Sequence, residues 1–226
     1  MPDWLHLMME SLWPLLVGGI KFTIPLAILS FAIGLVLAFL AAVGRLFGPR
    51  PLVELVRFYI WLVRGTPLLV QLFVIFYGLP SVGIVLDPMT AALIGFSLNV
   101  GAYNAEVIRG AIESIPKGQW DAAYSLSMTR AQALRRTILP QAARVAVPPL
   151  ANSFIALVKD TSLAAVITVP EIFQAAQRIA SVTYEPLTLY LEAALIYLVL
   201  CSFLTSAQAR LERYFSQHAV FTEGQR

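Results

Sequence analysis

Apolar residues fall in long runs over about 14–44, 52–79, 89–112, 144–169 and 187–208, with polar residues gathered between them. Each run is near or above the roughly 20 residues a helix needs to cross a bilayer core. In hydrocarbon every backbone polar group must be bonded inside the segment, so runs of this length are expected as helices. The pattern predicts an all-α, polytopic membrane protein with five transmembrane helices, forming a single membrane domain over 1–226. Between the third and fourth runs lies a long polar stretch, about 110–140. Its two short helical patterns, roughly 117–127 and 129–138, are too short to be stable alone and must dock on something. This stretch is where a partner is expected to bind.

Composition strengthens the membrane reading. Hydrophobic residues make up 58% of the chain and charged residues 13%, against about 25% charged in soluble proteins, and the mean hydropathy is +0.75. Basic residues are unevenly placed. Arg45, Arg50 and Arg57 follow the first run, Arg109, Lys117, Arg130, Arg135, Arg136 and Arg144 lie in or beside the polar stretch, and Arg210, Arg213 and Arg226 lie in the tail. The opposite side holds Arg178 alone. Positive residues favour the cytoplasmic side, so the N-terminus is expected outside, the C-terminus inside and 110–140 in the cytoplasm. The net charge of +3 expresses this topology and calls for no nucleic acid. The opening residues MPDWLHLMMESLW lack a basic n-region, so no cleavable signal peptide is expected and the first helix serves as its own insertion signal.

Catalytic chemistry is not legible. His6 and His218 sit at opposite ends, and with Cys201 alone in the last run they offer neither a metal cluster nor a nucleophile–base pair. Lys21, Lys117 and Lys159 follow Ile20, Pro116 and Val158, so the Gly-Lys of a phosphate-binding loop is missing. No catalytic residue, metal or bound cofactor is expected, and any ATP must be used by another polypeptide.

Polar residues inside the runs carry the candidate chemistry. In 52–79, Arg64-Gly65-Thr66-Pro67 places a charge beside a proline that kinks a helix. Arg64 either snorkels to the interface or marks a hinge formed by these four residues. In 144–169, Lys159 and Asp160 lie roughly 20 Å into the core at helical rise, where each charge costs at least ~2.5–3.5 kcal/mol. They either neutralise each other or, with Thr161 and Ser162 at a local unwinding, serve transport; neighbours on a regular helix point about 100° apart and pair poorly. In the third run Gly95, Asn99, Tyr103, Glu106 and Gly110 share one helical face. The glycines fit helix packing, while Glu106 is either neutralised by Arg109 or faces substrate. A zwitterionic amino acid needs a cation for its carboxylate and an acceptor for its ammonium. Lys159, Asp160, Thr161, Ser162, Asn99, Tyr103 and Glu106 are the candidate substrate-binding set. The amphipathic segment 170–186, with Glu171, Arg178 and Glu185, is either a solvated connector or an external docking surface.

YIWLVRGTPLLVQLFVIFYGLP (59–80), AYNAEVIRGAIESIPKGQWDAA (102–123) and ILPQAARVAVPPLANSFIALVKDTSLAAVITVPE (138–171) resemble, in that order, the integral-membrane permease subunits of polar amino-acid ABC importers, the histidine, glutamine, glutamate, arginine and opine group. Within that group KGQW-x-AA and the long 138–165 run are most similar to L-cystine permeases. The resemblance implies a type I ABC importer permease fold in the bacterial inner membrane. It also implies a dimer with a second copy or paralogue, two ABC ATPase subunits, an external solute-binding protein and an amino-acid substrate. The family's coupling signature is Glu-Ala-Ala, three residues, Gly, nine residues, Ile-x-Leu-Pro. Asp121, Ala122, Ala123, Ser127, Leu139 and Pro140 fall on it, with Gly118 just before, and the resemblance makes these the ATPase-coupling residues. Asp121, Ser127 and Thr137 depart from the signature, and Ser127 replaces a glycine that permits positive φ. A self-contained secondary transporter or channel would need more spans or an internal repeat, and an intramembrane enzyme a reactive constellation.

Overall fold

A computed structural model describes residues 3–217; His218 and Arg226, counted above, lie outside them. The described residues form helices and turns with no strand. Four helical stretches are long and apolar enough to cross a membrane, and a bent pair makes a fifth.

The first stretch runs from Trp4 to Phe47, so it begins ten residues before the apolar run that predicted it. It comprises α1 (Asp3–Gly18), a π-helical turn Gly19–Thr23 and α2 (Ile24–Phe47). The early residues are polar enough to blur the run, but packing absorbs them. Ser11 donates to the Leu7 carbonyl at 2.7 Å and lies 2.5 Å from the Glu192 carboxyl of the last helix. Leu15 is fully buried.

The run 52–79 is not one helix. α3 (Arg50–Arg64) and α4 (Leu68–Phe73, continued by tighter and wider turns to Val82) meet at 103°. Pro67 has no N–H to continue the ladder, and it biases Thr66 away from helical backbone. Gln71 then holds the corner shut. Its amide nitrogen donates to the Val63 carbonyl at 2.7 Å and contacts the Thr66 carbonyl and hydroxyl at 3.1 and 2.9 Å.

α5 (Pro88–Glu113) is the central helix, started by Asp87, whose side chain accepts from the Thr90 N–H. Its buried face is mostly small: Ala91, Ala92, Gly95, Ser97, Gly101, Ala102 and Ala105. These residues let α2 and α3 approach closely, as small residues do where no water drives helix association. A methyl at Gly101 would lie 2.6 Å from the Tyr59 hydroxyl, which donates to the Leu98 carbonyl. Phe96, Leu26 and Leu72 fill the middle of the core.

The polar stretch contains one separate short helix rather than two. α6 (Lys117–Ser125) stands alone, held by Trp120 against Phe47 and by the Gln141–Gln119 side-chain bond. The second pattern, 129–138, begins the fourth span. Thr129 and Gln132 form a reciprocal capping box that starts α7 (Arg130–Ala133), which continues through a π turn into α8 (Leu139–Asp160). The apolar run missed this because Arg135 and Arg136 are exposed on the helix that buries Ala133 and Ile138. A 3-10 segment, Thr161–Ile167, follows α8, then α9 (Ile172–Thr183) and α10 (Pro186–Gln217).

Ser127 joins α6 to α7 in left-handed backbone, φ +56°. Its N–H bonds to the Tyr124 carbonyl and the Met128 N–H to the Ala123 carbonyl, the paired bonds of a helix stop that usually carries glycine. The turn survives the substitution at the cost of a strained serine. Ser127→Gly is expected to stabilise the chain by about 0.5–1 kcal/mol, the left-handed strain relieved less the added backbone entropy. A thermal unfolding midpoint in detergent checks this; no rise would place the strain elsewhere.

Candidate functional site

Residues of α3, α5 and α8 line a partly open cavity of about 780 Å³. Arg64, Thr66 and Pro67 close one end. α5 contributes Asn99, Tyr103, Asn104 and Glu106, and α8 contributes Asn152, Ser153 and Asp160. Arg64 ends α3 at the 103° corner, where Thr66 and Pro67 turn the chain and join it in lining the cavity. The Arg64 guanidinium lies 5.2 Å from the centroid of the Tyr103 ring, a cation–π geometry. Neither Arg64 nor Asp160 has an oppositely charged partner within ion-pair distance among the described residues. The cavity therefore offers one uncommitted cation and one uncommitted carboxylate, with amides between them.

The candidates divide on this geometry. Asn99, Tyr103 and Asp160 line the cavity. Glu106 lines it too, but both its oxygens are engaged: Arg45 of α2 binds Oε1, and Arg109 binds Oε2 at 2.8 and 3.1 Å. Arg109 does neutralise Glu106, and Arg45 makes the carboxylate a tie between α2 and α5. Lys159, Thr161 and Ser162 do not line the cavity. Lys159 is exposed on the side of α8 toward Cys201. Thr161 is fully buried with its hydroxyl donating to the Val158 carbonyl, and the Ser162 hydroxyl donates to the Lys159 carbonyl. Consecutive helical residues diverge by about 100°, so one residue of the four faces the cavity. Lys159 and Asp160 make no ion pair with each other.

Arg64, read from the sequence as interfacial or as part of a hinge, is the cation of the cavity. Asn104, Asn152 and Ser153 were missed. Asn104 is 1% exposed with its amide nitrogen unpartnered. A signal was available on α8: Pro149, Asn152, Ser153, Ala156 and Asp160 recur at helical spacing, as the polar stripe on α5 does. Of the two glycines read as packing residues, Gly95 packs against Leu72, whereas Gly110 has open space around it.

At the basic end of the bundle, Asp121 and Ala122 of α6 are exposed, as are Tyr124 and Leu126. Gly118 is exposed with nothing beside it, and Pro140 is exposed at the start of α8. Ala123 is buried at 3% exposure, and Leu139 packs on the cluster of Ile112, Ile138 and Ala142. Those two shape the platform rather than its surface.

An all-helical membrane bundle with a polar cavity and an exposed short helix at its basic end is the architecture of a transport subunit. Residues 34–217 match the family of binding-protein-dependent transport system inner membrane components, and the chain belongs to it. The L-cystine transport system permease protein TcyB of Bacillus subtilis (strain 168) is 50% identical over 215 residues, covering 95% of this chain and 92% of its own length. The glutamine transport system permease protein GlnP of Escherichia coli (strain K12) is 38% identical over 216 residues, covering 93% of this chain and 96% of its own. A solved structure described as an amino acid ABC transporter with histidines matches with a TM-score of 0.88 at 34% identity, over 95% of this chain and 99% of that one. The protein is thus the permease component of an ABC amino-acid importer.

Proposed function

We propose that this chain, paired with a second copy or a paralogue in the bacterial inner membrane, forms the pathway of an ATP-driven importer for a zwitterionic amino acid, with L-cystine as substrate. The carrying observation is the pair of uncommitted charges in one cavity, Arg64 and Asp160. Arg64 takes the carboxylate and Asp160 the ammonium, out of bulk water, where charged hydrogen bonds contribute most. Asn99, Asn104 and Asn152 satisfy the remaining polar atoms, and Tyr103 holds Arg64 in place. L-cystine carries the carboxylate–ammonium pair twice about a two-fold axis, so two copies of this chain present the same set to each end. The cavity is only partly enclosed by this chain, and a partner across its open part would complete it, which favours this reading over a self-contained transporter.

In this reading the basic end faces the cytoplasm and the N-terminus lies outside. Asp121, Ala122 and Gly118 present α6 to an ABC ATPase subunit, one on each permease, while Ala123, Ser127, Leu139 and Pro140 fix the platform. The ATPases hydrolyse ATP, and this chain supplies no hydrolytic group. A solute-binding protein delivers substrate at the opposite end, where α9 exposes Arg178.

The test is uptake by the complex reconstituted with its ATPase and binding protein. ATP-dependent accumulation of radiolabelled L-cystine, displaced by unlabelled cystine and weakly by glutamine or histidine, is the expected result. Accumulation of glutamine in preference to cystine overturns the substrate assignment; accumulation without ATP overturns the class of mechanism.

A further inference from the structure

Glu171 is fully buried, yet it has no basic partner within ion-pair distance among the described residues. It caps α9: Oε2 accepts from the Phe173 N–H at 2.8 Å and Oε1 from the Gln174 N–H at 2.7 Å. A capping role explains a carboxylate at a helix N-terminus. It does not explain the third bond, in which the Tyr197 hydroxyl of α10 donates to Oε2 at 2.6 Å. Burial pushes the Glu171 carboxyl up, while the Tyr197 and backbone bonds pull it back.

The same point gathers two further elements. The Ile172 N–H donates to the Thr23 hydroxyl of the first span at 3.4 Å. Thr23 and Thr161 are both fully buried, and the Thr161 hydroxyl donates to the Val158 carbonyl at 2.7 Å. Gly18 lets the first span lie against this point, since a methyl there would meet the Glu171 backbone at 3.1 Å. Backbone bonds then wire the short stretch back to the cavity: Glu171 N–H to the Val169 carbonyl at 2.8 Å, and Val169 N–H to the Ala164 carbonyl at 3.1 Å. The 3-10 segment starts at Thr161, directly after Asp160, so these bonds join the cap of α9 to the end of the helix that carries the cavity's carboxylate.

We infer that Glu171 is a positioning residue: held by Tyr197 and tied through the backbone bonds of 164–171 to the segment that follows α8, it fixes Asp160 relative to α9, so that displacement of α9 by the docked solute-binding protein is transmitted to the cavity. This rests on the reading of the cavity as the pathway and of α9 as the external helix. A buried network with its members satisfied has discrete arrangements rather than continuous ones, which is what transmission between two sites requires.

Tyr197→Phe removes one bond and keeps the ring, and Glu171→Gln keeps the size of the capping side chain while turning one of its two acceptor oxygens into a donor. In the complex with its ATPase and binding protein in nanodiscs, both variants are expected to keep membrane abundance, and hydrolysis without binding protein, within about twofold of the parent chain. Stimulation by the substrate-loaded binding protein is expected to fall at least about fivefold, the lower range of a coupling between sites. The binding protein's affinity for the complex stays within about twofold, because α9 still presents Arg178. The double variant is expected to be no worse than the poorer single one, since both act through one bond. Full stimulation in both single variants overturns the inference. So do additive losses, and so does a fall in the abundance of Tyr197→Phe that matches its loss of stimulation, because that marks a merely structural bond. Absence of stimulation in the parent complex would strike at the transport reading itself, which separates the two failures.

Discussion

Asp160→Asn is expected to leave the permease abundant in the membrane and to lower uptake more than tenfold. The change removes the acceptor charge for the substrate ammonium, and a charged hydrogen bond lost in this way costs on the order of 1.5–3 kcal/mol, or roughly tenfold per 1.4 kcal/mol. Abundance should survive because no ion pair between Asp160 and Lys159 is made in the fold, so the substitution strands no buried lysine. Breaking a structural buried pair would instead cost roughly 3–5 kcal/mol and deplete the protein. Quantifying membrane abundance alongside uptake at saturating binding protein decides the matter. An abundant variant with normal uptake removes Asp160 from the pathway, and a depleted one returns it to a structural role.

Tryptophan at two adjacent alanines of α6 should produce opposite failures. Ala122 is exposed, so Ala122→Trp adds its ring outside the fold and obstructs only a partner. The purified permease is expected to keep its unfolding midpoint, to lose the ATPase in mild detergent and to show at least tenfold less substrate-stimulated hydrolysis in the assembled mixture. The figure corresponds to about 1.4 kcal/mol of lost docking energy, within the roughly 1–3 kcal/mol of overpacking. Ala123 is buried against the start of the fourth span, so Ala123→Trp overpacks the chain's own platform and lowers the midpoint. Size-exclusion co-elution with the ATPase and a thermal melt separate the two. Retention of the ATPase and normal stimulation by Ala122→Trp would take the coupling role away from this face.

At Gly65-Thr66-Pro67 the residues announce a break in the helix but not its size. Proline guarantees a disturbance of the helix. A turn of 103°, however, needs a residue that can satisfy the freed carbonyls, and Gln71 does so from four residues beyond Pro67. The corner sits at the site, since Arg64 just before it lies over Tyr103 and is the cavity's cation. Lys159 is expected as the substrate's cation because a charge so deep in a span is costly, but helical phase sends it and Asp160 to different sides of α8.

The sequence by itself determined the class of fold, because hydrocarbon leaves a long apolar segment little choice but a helix. It also determined the family, since the order of the motifs at 59–80, 102–123 and 138–171 is carried by residues the helices need for close packing and for their ends. Asn99, Tyr103 and Asp160 were legible as polar residues in segments where polarity is costly. Only the tertiary structure decided what those residues face. Helical phase sent Lys159, Thr161 and Ser162 away from the cavity. Arg45, distant in sequence, engaged Glu106. Long-range packing buried Ala123 and left Ala122 open. Helix formation is settled locally by the solvent and the backbone, whereas which charge remains uncommitted depends on every other helix that reaches the same point.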